Sequence, residues 1–332
     1  MRIILTGAAG GIGATLGYYL YNLGHEITQI DNLRNGYISN LIFNGSLYGT
    51  FINKSINDIT LTKSLDDNYD CIIHLAAVTS LPDCQINSYE AFDTNVSGTT
   101  SILELAREKN IRKVIFASTS AVYENNDEDI FTEELEVNPT LNYSLSKYMA
   151  EKICNSYRSN YDMNITILRF FNVFGPRQDM RRKNPPLLNY LVREVVNNRK
   201  PILHSDGSQS RDYVYVDDVV KLIEICLHKE SNSTYNVCTG KLVSVKDIES
   251  YVSKAFGFNI EPIYRDASML WNTYPELFER NFPLKKSTVT KETNKFSLGS
   301  NNKAKKELSW SPNLNIEELF LNVINEIRTK YI

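Results

Sequence analysis

Apolar and polar positions change rhythm along this chain. Through Arg169, short runs rich in β-branched residues alternate with longer stretches whose apolar positions recur at helical spacing. The runs Arg2–Thr6, Glu26–Asp31, Thr50–Asn53, Cys71–Leu75, Lys113–Ala117 and Ile165–Arg169 predict strands. Between them, Ala14–Leu23, Tyr89–Lys109 and Tyr143–Tyr161 predict helices. Strands separated by helices need crossover connections, which set them parallel in a sheet buried on both faces. The expected fold class is therefore α/β with a doubly wound parallel sheet.

After Phe171 the pattern loosens into a proline- and arginine-bearing loop (Gly175–Pro186), a helix Leu187–Asn197 and a turn at Ser205-Asp206-Gly207. Val214–His228 and Thr234–Cys238 again read as helix and strand, which predicts a return to the first domain at about 212–240, and Ile316–Arg328 reads as a final helix. The division expected is 1–171 plus that return, and a smaller mixed α/β part within 172–332.

With 332 residues and 42% hydrophobic content, the chain can bury a large core. A net charge of −3 provides no field for steering toward nucleic acid or acidic lipid, so neither partner is expected. The N-terminus enters the first strand directly and no apolar run reaches the length of a membrane span, so a cytoplasmic protein is expected. Cys71, Cys84, Cys154, Cys226 and Cys238 are scattered without metal-ligand spacing, which reads as buried reduced thiols and no metal.

The first strand opens onto Thr6-Gly7-Ala8-Ala9-Gly10-Gly11-Ile12-Gly13. Glycines where a strand turns into a helix permit a tight turn and a close backbone approach to a pyrophosphate, which the helix dipole favours. The spacing alone is weak evidence, but Asp31 ends the second strand, where a carboxylate accepts hydrogen bonds from ribose hydroxyls and repels a 2′-phosphate. The expected cofactor is NAD, in a Rossmann sheet.

Tyr143 and Lys147 are four residues apart and so share one helix face. An ammonium beside a phenol lowers its pKa toward a value useful for a base. Thr119, upstream on the fifth strand and flanked by Ser118 and Ser120, would hydrogen-bond a reacting alcohol. That constellation suits hydride transfer at a hydroxyl.

These residues resemble the extended short-chain dehydrogenase/reductase family, and within it the nucleotide-sugar epimerases. The likeness runs through Ile30-Asp31-Asn32-Leu33, His74-Leu75-Ala76-Ala77, Asn95–Thr99, Ser118–Tyr123, Tyr143–Lys147, Leu168–Gln178 and Arg211–Asp218. It implies cofactor contacts from Gly7, Gly10, Gly11, Ile12, Gly13, Asp31, Asn32, Asp58, Ile59, Leu75, Ala76, Ala77, Asn95, Ser118 and Phe170, besides the catalytic Thr119, Tyr143 and Lys147. It also implies substrate contacts from Thr79, Ser120, Asn172, Leu187, His204, Arg211 and Ser297, with Arg211 clamping a nucleotide diphosphate. Taken alone, His74 reads as a hydrogen-bonded core residue, and His204 equally as a surface turn residue. The resemblance further implies a homodimer built on a four-helix bundle from the helices at Tyr89–Lys109 and Tyr143–Tyr161.

The chain departs from the family pattern in three places. Glu124 replaces a glycine, Asp266–Glu292 is an enlarged connection that reads as lid, dimer contact or decoration, and the second phosphate-binding arginine has no assigned counterpart among Lys291 to Lys295. Arg177, Arg181, Arg182 and Lys183 form a basic cluster that reads as a solvated loop or a phosphate-facing one.

The related 4,6-dehydratases follow the threonine with Asp-Glu, because eliminating water needs an added acid and base. Here the pair is Ser120-Ala121. The expected reaction is therefore NAD-dependent epimerisation of a UDP-hexose at C4, with a ketosugar reductase or dehydratase, or a non-catalytic dinucleotide sensor, as the other readings. Ser297 falls where relatives restricted to plain hexoses hold a tyrosine, which implies room for an N-acetyl group.

Overall fold

The computed structural model describes residues 1–331. Seven parallel strands form the central sheet: β1 Arg2–Thr6, β2 Glu26–Asp31, β3 Thr50–Asn53, β4 Cys71–His74, β5 Lys113–Thr119, β6 Asn164–Phe170 and β7 Thr234–Val237. Their spatial order is β3-β2-β1-β4-β5-β6-β7. The order reverses between β1 and β4, which leaves a crevice beyond the strands' C-terminal ends. The doubly wound α/β reading is thus correct, and β7 pairs with β6 from Thr234↔Ile167 to Val237↔Phe170.

Alternation along each strand distributes the core over both faces. On β1, Ile3 and Leu5 pack with Ala14, Leu16 and Leu20 of the helix Gly11–Asn22 and with Val219, Val220 and Ile223 of the helix Val216–His228. Ile4 faces the other way, toward Ile102 and Leu103 of the helix Gly98–Glu108 and Ala150 and Cys154 of the helix Asn142–Tyr161. Lys113, at the start of β5, donates to the carbonyls of Cys226, Leu227 and Lys229 and so satisfies the C-terminus of the first layer's second helix.

Two expected elements differ. The helix read over Tyr89–Lys109 runs from Ser88 to Glu108, but its middle, Asp93–Ser97, widens into a π-helical turn between Ser88–Phe92 and Gly98–Glu108. Asn57 bonds the carbonyl and carboxylate of Asp93, and a Cβ on Gly98 would come within 2.4 Å of Ile56, so tertiary contacts reset the turn. Val214 and Tyr215 belong to a strand, Ser210–Tyr215, and the helix begins at Val216. That strand pairs in parallel with Asn172–Phe174, Tyr213 lying opposite Asn172.

The second core lies under the helices Leu187–Val196, Val245–Phe256 and Ile316–Tyr331, where Phe174 and Phe320 stack at 4.1 Å. A smaller one gathers Trp271, Tyr274, Leu277 and Val289 of the enlarged connection against Leu81, Ile86 and Leu141. All five cysteines are buried and free. Among the described residues no helix is long and apolar enough to cross a membrane.

A buried polar network joins β5, β6, β7 and the helix Asn142–Tyr161. Arg169 of β6 donates Nη2 to Glu151 at 2.7 Å and Nε at 3.0 Å, Glu151 also accepts from the Ser118 hydroxyl, and Arg169 Nη1 donates to Tyr123 at 2.7 Å. The Tyr123 hydroxyl in turn donates to Asn236 of β7 at 2.9 Å. The Arg169 and Glu151 side chains are only 7% and 2% exposed. Arg169→Met is expected to destabilise the protein by about 3–5 kcal/mol by leaving the Glu151 charge unpaired. Adding Glu151→Leu to that variant should restore part of the loss. Urea midpoints of the two variants check this, and equal stability of single and double variants would refute it.

Candidate active site

A cavity of about 1000 Å³ opens over the C-terminal ends of the strands. At its floor the chain leaves β1 through Gly7 at φ +69°, where a Cβ would stand 2.7 Å from the Ala76 amide nitrogen. A Cβ on Gly13 would stand 2.1 Å from the Gly7 carbonyl oxygen. Only glycine fits this backbone path, which leaves the N-terminus of the helix Gly11–Asn22 open to the cavity and suits a pyrophosphate. Asp31 lies at the end of β2 and accepts hydrogen bonds from the backbone amides of Ala9 (2.9 Å) and Leu33 (2.8 Å). Burial raises its pKa and these two bonds oppose the rise. The residues present therefore fit a dinucleotide.

Gly10, Gly11, Ile12, Asn32, Leu75, Ala76, Ala77, Ser118 and Phe170 line the same cavity. Asp58, Ile59 and Asn95 do not. Ile59 is 93% exposed, and Asp58 accepts from the Thr60 amide and pairs with Lys54 at 3.5 Å. Because β3 ends at Asn53, the residues reaching the cavity are Lys54, Ser55 and Ile56. Asn95 is buried behind the wall, where it bonds both backbone groups of Val78 and the Ser146 hydroxyl. It ties the segment after β4 to the helix Asn142–Tyr161. His74 is the expected core residue, bonded to Thr6 at 2.7 Å and Thr99 at 3.1 Å.

Thr119, Tyr143 and Lys147 all line this cavity. Burial pushes the Tyr143 phenol up to about 12, against the pull of a hydrogen bond with Thr119 and of the Arg182 guanidinium. The sequence pointed to Lys147 for that pull. Lys147 instead places its ammonium 4.1 Å over the Phe116 ring, and burial pushes it down to about 8, opposed by Cys154 and Glu151. Glu124 finds its use here: its carboxylate accepts from the Thr140 amide, the Thr140 hydroxyl (2.7 Å) and the Leu141 amide (2.8 Å). It thereby pins the segment that leads into the helix carrying Tyr143.

Thr79, Ser120, Asn172, Leu187, His204, Arg211 and Ser297 also line the cavity. His204 is thus a wall residue, its pKa lowered by burial and by Arg265. Arg211 Nη2 donates to the Glu292 carbonyl at 2.8 Å, with the Glu292 carboxylate 3.9 Å away. Ser297, 3% exposed, bridges to Arg211, and its carbonyl accepts from the Asp212 amide at 2.8 Å. Lys295 shares this end of the cavity, its pKa lowered by burial and by Arg211 and supported by Glu292.

The enlarged connection forms part of the wall through Met269, Leu270, Trp271, Asn272 and Thr273, which its length alone did not disclose. The basic cluster divides. Arg177 stacks over Phe43 at 4.1 Å and Arg181 over Tyr37 at 3.4 Å, while Arg182 and Lys183 line the cavity.

Residues 3–238 match the NAD dependent epimerase/dehydratase family. The UDP-glucose 4-epimerase of Mycolicibacterium smegmatis is 29% identical over 99% of both chains. Among solved structures, the UDP-glucose 4-epimerase of Thermotoga maritima with UDP-glucose is 26% identical and superimposes at a TM-score of 0.86 over 99% of both chains. The UDP-N-acetylglucosamine 4-epimerase of Methanobrevibacter ruminantium M1, in complex with UDP-N-acetylmuramic acid, is 26% identical at 0.85, covering 99% of this chain and 98% of that one. With a glycine turn, an acidic β2 end and a threonine–tyrosine–lysine centre in one cavity, this chain belongs to the NAD-dependent epimerase/dehydratase family.

Proposed function

We propose that this protein interconverts a UDP-hexose and its C4 epimer. The observation that carries the reading is the meeting of Thr119, Tyr143 and Lys147 in one cavity with Ser120 and Ala121, and no carboxylate, next to Thr119. Tyr143 takes the proton of the C4 hydroxyl and later returns it, while Thr119 hydrogen-bonds the reacting oxygen. NAD, which Gly7, Gly10, Gly13 and Asp31 would hold, would supply the hydride acceptor and donor for C4 and a positive charge that favours the phenolate. Lys147 lies one turn along the same helix and lines the same cavity. Arg211 and Lys295 are the cations placed to hold the diphosphate, Arg211 through its planar fork. Lys295 supplies the second cation that the sequence left unassigned.

In this reading residues 1–171, with 212–240, hold the dinucleotide, and 172–332 mainly hold the nucleotide sugar. Ser297 supports an N-acetylated sugar: a buried serine beside Arg211 leaves volume that a tyrosine ring would fill. A homodimer through the helical stretches read at Tyr89–Lys109 and Tyr143–Tyr161 also belongs to this proposal. Tyr89, 82% exposed, and Met149, 41% exposed, are apolar groups such an interface would cover.

Incubated with UDP-, GDP- and dTDP-sugars and no added NADH, the protein is expected to form an isomer of equal mass from a UDP-hexose. Tyr143→Phe should cut turnover at least ~10²-fold while dinucleotide stays bound. Wild-type turnover in that variant would remove Tyr143 as the base. Ser297→Tyr should lower activity on UDP-GlcNAc and UDP-GalNAc far more than on UDP-glucose, and equal losses would show that Ser297 does not gate the sugar. Sedimentation at micromolar concentration should return twice the monomer mass, whereas a single-chain mass would count against the interface.

A further inference from the structure

The loop after β2 and the helical turn Ser88–Phe92 meet across the dinucleotide end of the cavity through one ion pair. Arg34 Nε donates to one Glu90 oxygen and Nη2 to the other at 2.8 Å. Both residues line the cavity that holds Gly7 and Asp31, and their side chains are 35% and 31% exposed. Glu90 is itself held, since Asn87 Nδ2 donates to it at 3.1 Å and the Glu90 amide donates to Asn87 Oδ1 at 3.2 Å. Lys54, at the end of β3, is likewise paired, with Asp58.

Arg34 is the first cation after Asp31 in the chain. In doubly wound folds an arginine near the β2 end accommodates the 2′-phosphate of NADP. A guanidinium binds a carboxylate and a phosphate through the same two-pronged fork, so the two compete for it. Asp31 by itself is therefore an incomplete barrier: its oxygens accept from Ala9 and Leu33, and a free arginine three residues on would offer the phosphate a partner.

We propose that Glu90 is a cofactor-specificity residue, which holds Arg34 in a two-pronged ion pair and so denies that cation to a 2′-phosphate. NAD selection is then shared by Asp31 on β2 and by Glu90 on a separate helix. The inference rests on the dinucleotide reading of the cavity and is independent of which sugar reacts.

The test reads bound cofactor, with no turnover required. Purified protein carrying its cofactor is incubated with an equimolar excess of NAD⁺ and NADP⁺, freed of unbound dinucleotide and denatured, and the released NAD(H) and NADP(H) are quantified. Wild type is expected to release NAD(H). Glu90→Gln and Glu90→Ala should each raise the NADP:NAD ratio about tenfold, the scale of one charge-assisted hydrogen bond. Arg34→Leu added to Glu90→Gln should return the ratio to the wild-type level. An unchanged ratio in both Glu90 variants, or a rise that survives Arg34→Leu, overturns the proposal. Protein that retains neither dinucleotide would overturn the cofactor reading and this inference with it.

Discussion

Two opposite charges buried at the junction of three strands and one long helix set the geometry on which the rest of the site depends. Arg169 and Glu151 are almost wholly removed from water, so each requires the other and the hydrogen bonds that complete their shells. Tyr143, Lys147 and Glu151 follow at intervals of four along one helix and form a single stripe. Its lower end is fixed by Arg169 and Ser118, and its upper end carries the phenol that meets Thr119 at the end of β5. The network extends through Tyr123 and Asn236 to β7, so the outermost strand, contributed from far along the chain, also braces the helix that carries Tyr143.

Within the cavity, burial drives Tyr143 and Lys147 toward their neutral forms. Each is offset by a local partner. The Thr119 hydroxyl and Arg182 favour the phenolate, and Glu151 favours the ammonium. Glu151 thus acts twice, as the counter-charge of Arg169 and as a support for the lysine one turn above it. Farther along the cavity, Arg211, Lys295 and Glu292 make a net positive cluster, with Glu292 limiting the repulsion between the two cations.

The wall of the cavity is assembled from segments of very different character. The glycine turn and the strand ends are rigid parts of the sheet. The enlarged connection is held on by its own small core around Trp271, and Glu124 secures the approach to Tyr143. The connection lines the cavity while leaving the seven-strand frame intact, as loops on a fixed scaffold commonly do.

Local chemistry was readable from the sequence. β-branched runs between helical stretches announced the parallel sheet, the glycines announced a turn that tolerates no side chain, and a four-residue spacing placed Tyr143 and Lys147 on one face. Each of these depends on neighbours within a turn or a strand, so periodicity carries it. Contacts between distant segments were not readable. Asn57 and the close approach of Gly98 to Ile56 put a π-helical turn into a helix that the pattern read as regular, the end of β3 brings Ser55 and Ile56 to the cavity in place of Asp58 and Ile59, and Lys147 turns toward Phe116. Glu90, Arg182, Trp271 and Lys295 reach the cavity only because the chain returns there from separate elements. The sequence by itself determined the frame and the helix face that Tyr143 and Lys147 share, because short-range geometry dictates both; the tertiary structure decided what encloses them and which charges they feel, because burial and long-range packing exist only once the chain has closed.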